Sequence, residues 1–562
     1  MPKLNIPILF QDDHLIAINK PAGLLTHPDD PQDASSTDVV SLLKAQNQFD
    51  YLGIHQRLDR EVSGVLVFAR RKEANAGLAQ LFEGREARKE YLAVTRGTLP
   101  NHAGTIDYPL KGAKGQAIRA VTRYRVEATS PDKRFSLVRL ELETGRTHQL
   151  RIHLSQAGCP IVGDWLYGQE TAAVFPRLLL HSVKLAFPHP LTKQNLIIEA
   201  VPPIVFEQVL SGEIITVHEL LAKKGITALR QEHLPGLRNL LALALERRAP
   251  FSDDPENTAY RLVNALGDGL PGFSLDRFGE VLVLNLYEPE LDASHPALKI
   301  LKQAINSIFP GKSIYAKFRP VTAAKLGDSA PPEIAAPLPL SGEAFQEVTV
   351  CENGLKYLIR PGEGLSVGLF LDMRQMRERI RQSSAAKTVL NCFSYTCGFG
   401  VAATAGGATR VLNLDASRTA LDWGKQNYIA NGFTPADFDF VFGDVFDWLE
   451  RFARKQQTFD LIILDPPSYS STRSTRFSAE RDYHKLVELA AGILAPGGTL
   501  VACTNHAGLE RKTFRQQVLK GMAAARLRCL DSALSSFEEP QLDFPHTQEG
   551  YLKIIIARPD KV

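Results

Sequence analysis

The last third of the chain contains four apolar stretches, TVLN (388–391), RVLNLD (410–415), LIILD (461–465) and TLVACT (499–504). Each stretch runs into a polar residue, and longer helix-compatible segments separate them. Strands that alternate with helices predict a parallel, doubly wound sheet whose ligands bind at the carboxyl ends of the strands. We therefore expect an α/β domain over residues 346–562, with the polar strand ends gathered along one edge.

The residues before this domain follow a different pattern. Residues 1–207 contain short β-type runs separated by Gly, Pro and Asp turns, which predicts an α+β domain built on a mixed sheet. Residues 208–250 have few turn residues and are expected to form a helical linker. Residues 251–345 combine clustered glycines with the apolar run VLVLNL, which indicates a small α+β middle domain. The chain is thus predicted to be multidomain.

Composition excludes several classes of protein. The chain has 562 residues, 44% hydrophobic and 23% charged, and a net charge of +3 gives no whole-chain argument for nucleic-acid binding. Its six cysteines form no C-x-x-C pair, which argues against a disulfide framework or zinc site and favours a reducing cytoplasm. No uncharged apolar run approaches the roughly 18 residues that span a membrane. We expect a cytoplasmic protein without signal peptide, membrane segment or metal.

The segment GIHQRLDREVSG (53–64) places an aspartate among bases, because Arg57, Asp59 and Arg60 fall within four positions. An aspartate flanked by arginines can stay ionised at neutral pH and act as a nucleophile in a cleft. Such a cluster is also common as a surface ion pair in a turn. The segment alone leaves both interpretations open.

This segment resembles the H-R-L-D-x-x-T-S-G signature of the RluA-type pseudouridine synthases, with Val62 at the family's threonine position. Over roughly residues 7–203, further segments resemble the same family in the same order: ILFQDDHLIAINKPAGLLTHP, KEYLAV, TGRTHQLRIHL, GCPIVGDWLYG and LLLHSVKLAFPHP. The resemblance implies that Asp59 is the nucleophile, that Tyr91 stacks on the base and assists proton transfer at C5, and that Arg151 pairs with the aspartate. It also implies isomerisation of uridine to pseudouridine in RNA without cofactor or metal.

The resemblance further implies contact with ribosomal or transfer RNA. The target uridine must leave its stack, which costs a few kcal/mol in a helix. We expect Arg57 and Arg60 to contact the RNA, Arg60 as a wedge beside the displaced base. The stretch 111–125 contains five basic residues and no acidic one, and we expect phosphate contacts there, although a solvated face is the alternative: Lys111, Lys114, Arg119, Arg123 and Arg125.

The loop CFSYTCGFG (392–400) follows the first strand of the α/β domain and is compatible with close approach of the backbone to a ligand. Asp415 ends the next strand, where a carboxylate can accept hydrogen bonds from ribose hydroxyls. A dinucleotide site is the alternative, although the loop lacks the G-x-G-x-x-G spacing. The segment FDLIILDPPSYS decides between them, because it resembles motif IV of class I S-adenosylmethionine-dependent nucleic-acid methyltransferases.

Five segments closely resemble ribosomal RNA large-subunit methyltransferases of the RlmI and RlmK type: GLFLDMRQMRERI, VLNCFSYTCGFGVAA, VLNLDASRTALDWGKQNYIANG, GDVFDWL and DPPSYS. The resemblance implies a Rossmann-like domain that binds S-adenosylmethionine. Residues implied at the methionine part are Asp372, Arg374, Phe393, Ser394, Tyr395, Thr396 and Gly398. Asp415 would hold the ribose, Asp444 would approach the adenine, and Asp465 would face both cofactor and base. Pro466, Pro467, Tyr469 and Asn505 are implied on the substrate side, Pro466 and Pro467 at the base edge and Tyr469 stacked on it.

The sequence offers two candidates for the atom that accepts the methyl group, cytosine C5 and guanine N7. Methylation of cytosine C5 requires a cysteine thiolate that adds to C6. Asn505 occupies the position aligned with the RlmI cysteine, and Cys503 on a strand is expected to be a small buried hydrophobe. Asn505 and SYSSTRSTRFSAERDYHKLV resemble the RlmK branch, which methylates guanine N7, and transfer to nitrogen requires only alignment with the sulfonium. We therefore expect guanine N7 methylation, with cytosine C5 as the alternative.

Both halves together predict a bifunctional RNA-modification enzyme that acts on large-subunit (23S) ribosomal RNA, with transfer RNA possible for the first half. The alternative is that one half is a catalytically silent RNA-binding or assembly module. A small-molecule methyltransferase is a further alternative for the second half. The oligomeric state stays open at this point.

Overall fold

The computed structural model describes residues 6–27, 38–47, 49–84, 86–112, 115–168, 175–252, 254–319, 333–471, 476–506, 508–528, 534–537, 543–545 and 552–561. Contacts divide the chain into two compact units. The first comprises Met1–Asp254, Leu262–Ser274 and Glu290–Gly311, and the second comprises Pro255–Arg261, Leu275–Pro289 and Lys312–Val562. Segment 251–345 therefore contributes to both units. None of the helices in the described ranges combines the length and hydropathy that a membrane span requires.

The first unit is built on a ten-stranded mixed sheet. The strands of this unit are β1 (Ile8–Gln11), β2 (Leu15–Lys20), β3 (Gly53–Ile54), β4 (Ser63–Ala69), β5 (Arg88–Arg96), β6 (Ala103–Ile106), β7 (Leu110–Lys111), β8 (Ala117–Ile118), β9 (Thr122–Thr129), β10 (Phe135–Leu142), β11 (Leu180–Pro188) and β12 (Asn195–Glu199). The sheet order is β1-β2-β4-β11-β5-β10-β9-β6, with β3 on β4 and β12 on β11, while β7 and β8 pair with each other. Neighbours pair antiparallel except β4 and β11, which run parallel. The predicted mixed sheet is confirmed.

Eight helices are described in the first unit: α1 (Val39–Asn47), α2 (Glu73–Glu83), α3 (Gln149–Gln156), α4 (Val205–Leu210), α5 (Glu213–Lys224), α6 (Leu234–Arg247), α7 (Ala249–Ser252) and α8 (Pro296–Ile308). Helix α2 buries Ala74, Leu78 and Leu81 in a cluster with apolar residues of the sheet. Helices α5, α6 and α8 form a separate helical layer, in which α6 packs on both others. A bidentate ion pair between Arg248 and Asp268, both fully buried, joins the end of α6 to the segment that follows β13.

A second, four-stranded sheet has the order β13-β14-β15-β16. Its strands are β13 (Ala259–Asn264), β14 (Phe273–Phe278), β15 (Val281–Leu286) and β16 (Ser313–Phe318), and the hairpin β17 (Val348–Glu352) and β18 (Leu355–Ile359) follows. Strands β15 and β16 run parallel and are fully buried. One face of β15 and β16 shares a core cluster with this hairpin and with the start of the α/β domain.

The α/β domain occupies most of the second unit. Its remaining strands are β19 (Thr388–Cys392), β20 (Arg410–Asp415), β21 (Phe440–Phe442), β22 (Phe459–Leu464), β23 (Tyr469–Ser471), β24 (Arg476–Ser478), β25 (Leu494–Thr504), β26 (Leu527–Arg528), β27 (Leu534–Phe537), β28 (Lys553–Ala557) and β29 (Asp560–Lys561). Its helices are α9 (Arg374–Ser383), α10 (Gly398–Ala405), α11 (Arg418–Ala430), α12 (Val445–Arg454), α13 (Ala479–Ala491) and α14 (Arg511–Ala524). The seven-stranded sheet has the order β21-β20-β19-β22-β25-β28-β27, in which β21 to β25 are parallel.

Alternation within these strands explains the doubly wound arrangement. In β19, Leu390 joins one core cluster and Val389 joins another, and in β22 the same division separates Ile462 from Leu461. Successive side chains of a strand point to opposite faces, so a strand that is apolar throughout needs helices on both sides. The four stretches that predicted this fold are its central parallel strands, and the prediction of the fold is confirmed.

Gly64 in β4 offers a direct test of the first sheet. Its φ is +114°, and an added Cβ would lie 2.2 Å from the carbonyl oxygen of Ser182 in the parallel neighbour β11. Gly64→Ala is expected to lower the free energy of unfolding by roughly 2–5 kcal/mol, from backbone strain plus overpacking. Urea unfolding followed by circular dichroism measures this loss.

The matched control is Gly158→Ala, because Gly158 has a φ of +76° but nothing within 4 Å of an added Cβ. Strain alone should cost this variant about 1–2 kcal/mol. The packing argument fails if the two variants lose the same stability.

Candidate active sites

The first site is organised by the loop that joins β3 to β4. Lys20, at the end of β2, is fully buried and its Nζ donates hydrogen bonds to the carbonyl oxygens of Pro21, Arg60 and Val62. Burial lowers the pKa of Lys20 to about 7, although the nearby carboxylates of Glu61 and Asp59 oppose the shift. The ammonium thus fixes the backbone on one side of the predicted nucleophile. Sequence reasoning did not identify Lys20.

Asp59 lies at the surface of this loop beside a buried arginine. The Arg151 Nη1 is 3.5 Å from Asp59 Oδ2, while the rest of its guanidinium holds both oxygens of Asp164 at 2.7 and 2.8 Å. Arg151 is 2% exposed and Asp59 is 31% exposed, so the cation is supported from within and the carboxylate is open to a substrate. The predicted pairing of Arg151 with Asp59 is present.

Tyr91 lies on β5 and is buried next to the same aspartate. Burial and the negative charge of Asp59 raise the pKa of Tyr91 to about 12, against hydrogen bonds to Ser182 and Gln56 that lower it. The phenol therefore carries its proton at neutral pH. It can stack or donate a hydrogen bond, and it is a poor base.

These residues line one cavity of about 90 Å³. Its wall contains the predicted Arg57, Asp59, Tyr91 and Arg151, together with residues that the sequence did not single out: Leu58, Val62, Leu142, Arg146, His148, Gln149, Leu150 and Leu180. Arg60 does not line the cavity, and its wedge role stays a prediction. Arg146 and His148 belong to the segment TGRTHQLRIHL, which was a signal available for finding them.

The basic stretch 111–125 is less free than the sequence indicated. Arg123 pairs with Glu143 across the sheet at 2.5 Å, and Arg125 pairs with Glu127 at 3.3 Å. The segment itself contains no acid, but Glu127, further along β9, and Glu143, just after β10, supply the carboxylates. Lys114 lies outside the described residues.

The second site is a cavity of about 410 Å³ at the carboxyl ends of β19, β20 and β22. Twelve predicted residues line it: Asp372, Phe393, Ser394, Tyr395, Thr396, Gly398, Asp415, Asp444, Asp465, Pro466, Pro467 and Asn505. Further wall residues were not predicted and include Ser366, Phe370, Arg377, Ser417 and Phe446. The structure thus brings the polar strand ends together at one edge, as parallel strands require.

The loop after β19 adopts an uncommon backbone. Phe393, Tyr395 and Cys397 all have positive φ, between 47° and 62°. Non-glycine residues rarely adopt this conformation, and such strain clusters at ligand sites. The Ser394 carbonyl accepts the Cys397 amide at 2.7 Å, and helix α10 begins at Gly398 in the cavity wall.

Asp415 and Asp444 present carboxylates to the cavity from fixed backbone positions. Asp415 accepts hydrogen bonds from the amides of Tyr395 and Ser417, each at 2.8 Å. Asp444 caps helix α12 and accepts the Phe446 amide at 2.9 Å. Each carboxylate is therefore held in place before any ligand arrives.

The structure corrects the placement of one predicted cofactor residue. Arg374 does not line the cavity, because its guanidinium is buried and donates to Asp543 and to the carbonyl of Ala259. Arg377, one helical turn further on in α9, lines the cavity instead. Its guanidinium is held by both oxygens of Glu352 at 2.6 and 2.7 Å.

The protonation of Asp465 depends on its burial and on the charged residues around it. Burial and the neighbouring carboxylate of Asp372 raise its pKa to about 7, against the positive charge of Arg377. Its charge therefore changes near neutral pH. In the described ranges, no group of three His, Cys, Asp or Glu side chains is arranged to hold a metal ion.

Two contacts join the segment of Tyr469, which does not line the cavity, to the segment of Asn505, which does. Ser468 donates to Asn505 Oδ1 at 3.2 Å, and the Tyr469 hydroxyl is 3.2 Å from His506 Nε2. Tyr469 is 61% exposed, with its ring edge-on to that of His506. An exposed aromatic ring of this kind can stack on a base. His506 was not predicted.

Comparison with known proteins agrees with this division of the chain. Residues 14–156 match the family described as RNA pseudouridylate synthase, and residues 325–535 match the family described as S-adenosylmethionine-dependent methyltransferase. Ribosomal RNA large subunit methyltransferase I of Aeromonas salmonicida is 33% identical over 320 residues, which cover 57% of this chain and 79% of that protein. The chain belongs to this methyltransferase family. An RNA pseudouridylate synthase domain precedes the family's catalytic domain, as the sequence resemblance implied.

Two further relatives are also methyltransferases. The protein of the same name from Cronobacter sakazakii is 37% identical over 244 residues, covering 43% of this chain and 60% of that protein. A putative methyltransferase, SMU.776, solved in complex with SAH, is 28% identical with a TM-score of 0.51 and covers 67% of this chain and 88% of that one. The methyltransferase domain therefore uses S-adenosylmethionine.

The cavity of the methyltransferase domain fits this cofactor. The strand-end Asp415 offers a carboxylate for a ribose diol, and Asp444 lies further along the same edge. The strained loop exposes the amino end of α10, which suits a carboxylate group. Asp465 can face a sulfonium as an anion.

The pH dependence of cofactor affinity tests the position of Asp465. Because its pKa is about 7, the side chain is an anion above neutrality and neutral below it. A sulfonium is favoured by the anion, so the Kd of S-adenosylmethionine should rise roughly three- to tenfold between pH 8 and pH 6. Isothermal calorimetry measures it.

S-adenosylhomocysteine, which lacks the positive charge, should show little change over the same range. Asp465→Asn should remove the difference between the two ligands. Equal pH dependence of both ligands in the native chain contradicts the assignment.

Proposed function

We propose that the chain is a bifunctional RNA-modification enzyme, which isomerises uridine to pseudouridine at the first site and methylates an RNA base at the second. The observation that carries the proposal is the presence of two separate cavities that are lined by different sets of functional residues. The wall of one contains Asp59, Tyr91 and Arg151, and the wall of the other contains Asp465, Pro466 and Pro467. Its action in the cytoplasm is part of the proposal, because RNA is the substrate of both sites.

At the first site, Asp59 acts as the nucleophile and no cofactor takes part. The N1–C1′ bond of uridine breaks, the base turns, and a C5–C1′ bond forms. The proton on C5 then leaves and N1 gains one, so atoms and charge balance. Arg151 supplies a fixed positive charge beside the aspartate, and Tyr91, protonated at neutral pH, stacks on the base. Arg57 contacts the RNA, and Arg60 acts as a wedge beside the extruded nucleotide.

At the second site, S-adenosylmethionine supplies an electrophilic methyl group when bound. Asp415 and Asp444 hold the nucleoside part, and Asp372 with the 393–398 loop holds the methionine part. The Pro466–Pro467 edge and Tyr469 receive the acceptor base. The substrate of this site is large-subunit ribosomal RNA, as the names of the relatives suggest, while transfer RNA is the second possibility for the first site.

Guanine N7 is the proposed acceptor atom. Guanine presents two acceptors, N7 and O6, on the same edge. Ser468 already donates to Asn505 Oδ1, which leaves the amide Nδ2 of Asn505 to donate to O6 while N7 faces the methyl group. A nitrogen acceptor needs no covalent catalysis, only alignment.

The cysteines support nitrogen rather than carbon methylation. No cysteine is present in the described wall of the cavity. Cys392, Cys397 and Cys503 are fully buried, and burial raises the pKa of each thiol well above its ordinary value. Such thiols do not form the thiolate that addition to cytosine C6 requires. Cys529 lies outside the described residues.

Removing the strand thiol tests this chemistry. Cys503→Ala should keep methyl transfer within about twofold of the native rate, because a neutral buried thiol takes no part in nucleophilic catalysis. Transfer of labelled methyl groups to ribosomal RNA measures the rate. In parallel, RNA that contains 5-fluorocytidine should form no covalent complex with the chain, and a trapped complex would favour cytosine C5.

Two substitutions should separate the activities. Asp59→Ala should abolish pseudouridine formation and leave methyl transfer unchanged, whereas Asp465→Ala should lower methyl transfer roughly a hundredfold or more and leave pseudouridine formation intact. Mass spectrometry of nucleosides from treated RNA reads both products in one sample. Asp132→Ala and Asp422→Ala remove exposed carboxylates of the two units and serve as controls. Loss of both products in either site variant contradicts the assignment of independent sites.

A further inference from the structure

His148 lies between the nucleophile of the first site and a tyrosine hydroxyl. Its Nε2 is 3.5 Å from Asp59 Oδ2, and its Nδ1 is 3.0 Å from the hydroxyl oxygen of Tyr167. The rings of His148 and Tyr167 meet edge-on, with centroids 5.7 Å apart. The imidazole lines the cavity and is partly exposed. Neither the proposed isomerase chemistry nor the sequence motif assigned it a task.

The backbone of His148 is held in an uncommon conformation. Its φ of 54° and ψ of 20° place it in the left-handed region, immediately before helix α3. For an L-residue other than glycine this costs roughly 1 kcal/mol or more, and such residues persist where surrounding contacts demand them. The same turn carries Arg151 one helical turn later, so one short segment aims two cationic or potentially cationic side chains at Asp59.

The neighbours of His148 favour one neutral tautomer. The Asp59 carboxylate lies 3.5 Å from Nε2 and favours a hydrogen on that nitrogen, which leaves Nδ1 to accept from the Tyr167 hydroxyl. A neutral imidazole that accepts at Nδ1 carries its hydrogen on Nε2. Nε2 faces the Asp59 carboxylate. Tyr167 is itself fixed, because its backbone amide donates to Asp164, the partner of Arg151.

Both neighbours of the nucleophile contact the same oxygen. Arg151 Nη1 and His148 Nε2 are each 3.5 Å from Asp59 Oδ2. Two cationic or potentially cationic groups therefore flank this oxygen. We propose that His148 is a positioning residue of the isomerase, which together with Arg151 fixes the Asp59 carboxylate through its Oδ2 atom. This role rests on the proposed isomerase function of the first site.

A consequence is a dependence of the isomerase rate on the protonation of His148. A protonated imidazole donates from both nitrogens, so Nδ1 donates to the Tyr167 oxygen instead of accepting from it, and a second positive charge is added at Oδ2. The carboxylate is then a weaker nucleophile, and the rate falls when His148 is protonated. The titratable or charged groups that face or neighbour the imidazole are Asp59, Tyr167, Arg151, Arg146, Arg57 and Tyr91.

The test is the pH profile of pseudouridine formation by the full chain between pH 5.5 and 8.5, measured by tritium release from RNA labelled at uridine C5. His148→Asn keeps an amide donor and suits the left-handed backbone, but it does not titrate. We expect kcat to fall roughly tenfold to a hundredfold, the KM for RNA to stay within about twofold, and the acidic decline of kcat to disappear. His102→Asn, at an exposed histidine of the same unit, is the matched control and should keep the native profile.

The Tyr167→Phe variant is a second test, and its result does not depend on how well His148→Asn folds. Removing the hydroxyl should displace the acidic decline along the pH axis while the activity at pH 8 falls less than in His148→Asn. The inference is overturned if His148→Asn keeps the native kcat or the native acidic decline, or if Tyr167→Phe leaves the profile unmoved. A native chain that forms no pseudouridine, or one in which Asp59→Ala remains active, overturns the isomerase function itself.

Discussion

The ion pair between Arg151 and Asp164 fixes the geometry of the first site. Both side chains are almost fully buried, and two hydrogen bonds of 2.7 and 2.8 Å hold the guanidinium plane. Asp164 also accepts the amides of Leu166 and Tyr167, so the same carboxylate shapes the loop that carries Tyr167. Breaking one partner of such a buried pair typically costs about 3–5 kcal/mol. The position of Asp59, and of everything that approaches it, depends on this pair.

In the second unit, too, a carboxylate holds a buried arginine close to an aspartate of the cavity. Arg377 is held by both oxygens of Glu352, and its charge acts on Asp465 in the cavity. Here a second carboxylate, Asp372, and burial outweigh the arginine and bring the pKa of Asp465 to about 7. A fixed cation lies beside Asp59, the proposed nucleophile, whereas the proposed sulfonium partner, Asp465, is influenced by both a carboxylate and an arginine. The two sites differ in the neighbours of the functional aspartate rather than in the arginine behind it.

Strand periodicity and motif order predicted most of the fold from the sequence. Which side chains line the cavities could be seen only in the structure. TVLN, RVLNLD, LIILD and TLVACT became central parallel strands, because their apolar residues alternate between two clusters of the core. Spacing within a motif could not decide between Arg374 and Arg377, since both lie on α9 and both contact Glu352. Only the structure shows that Arg374 pairs with Asp543 while Arg377 lines the cavity. Lys20 and His148 were missed for a similar reason, because their partners are distant in sequence: Lys20 donates to Arg60, 40 residues away, and His148 contacts Asp59, 89 residues away. In the basic stretch, the structure adds that Arg123 and Arg125 pair with Glu143 and Glu127, which lie outside the stretch, and phosphate contact there stays a prediction.

The central claim is that one chain installs two modifications through two independent cavities. Nucleotide-resolution mass spectrometry of large-subunit ribosomal RNA, from cells with and without this gene, tests it most directly. The account predicts that one pseudouridine and one N7-methylguanosine disappear together. An rRNA in which every pseudouridine and every methylated base remains would contradict it.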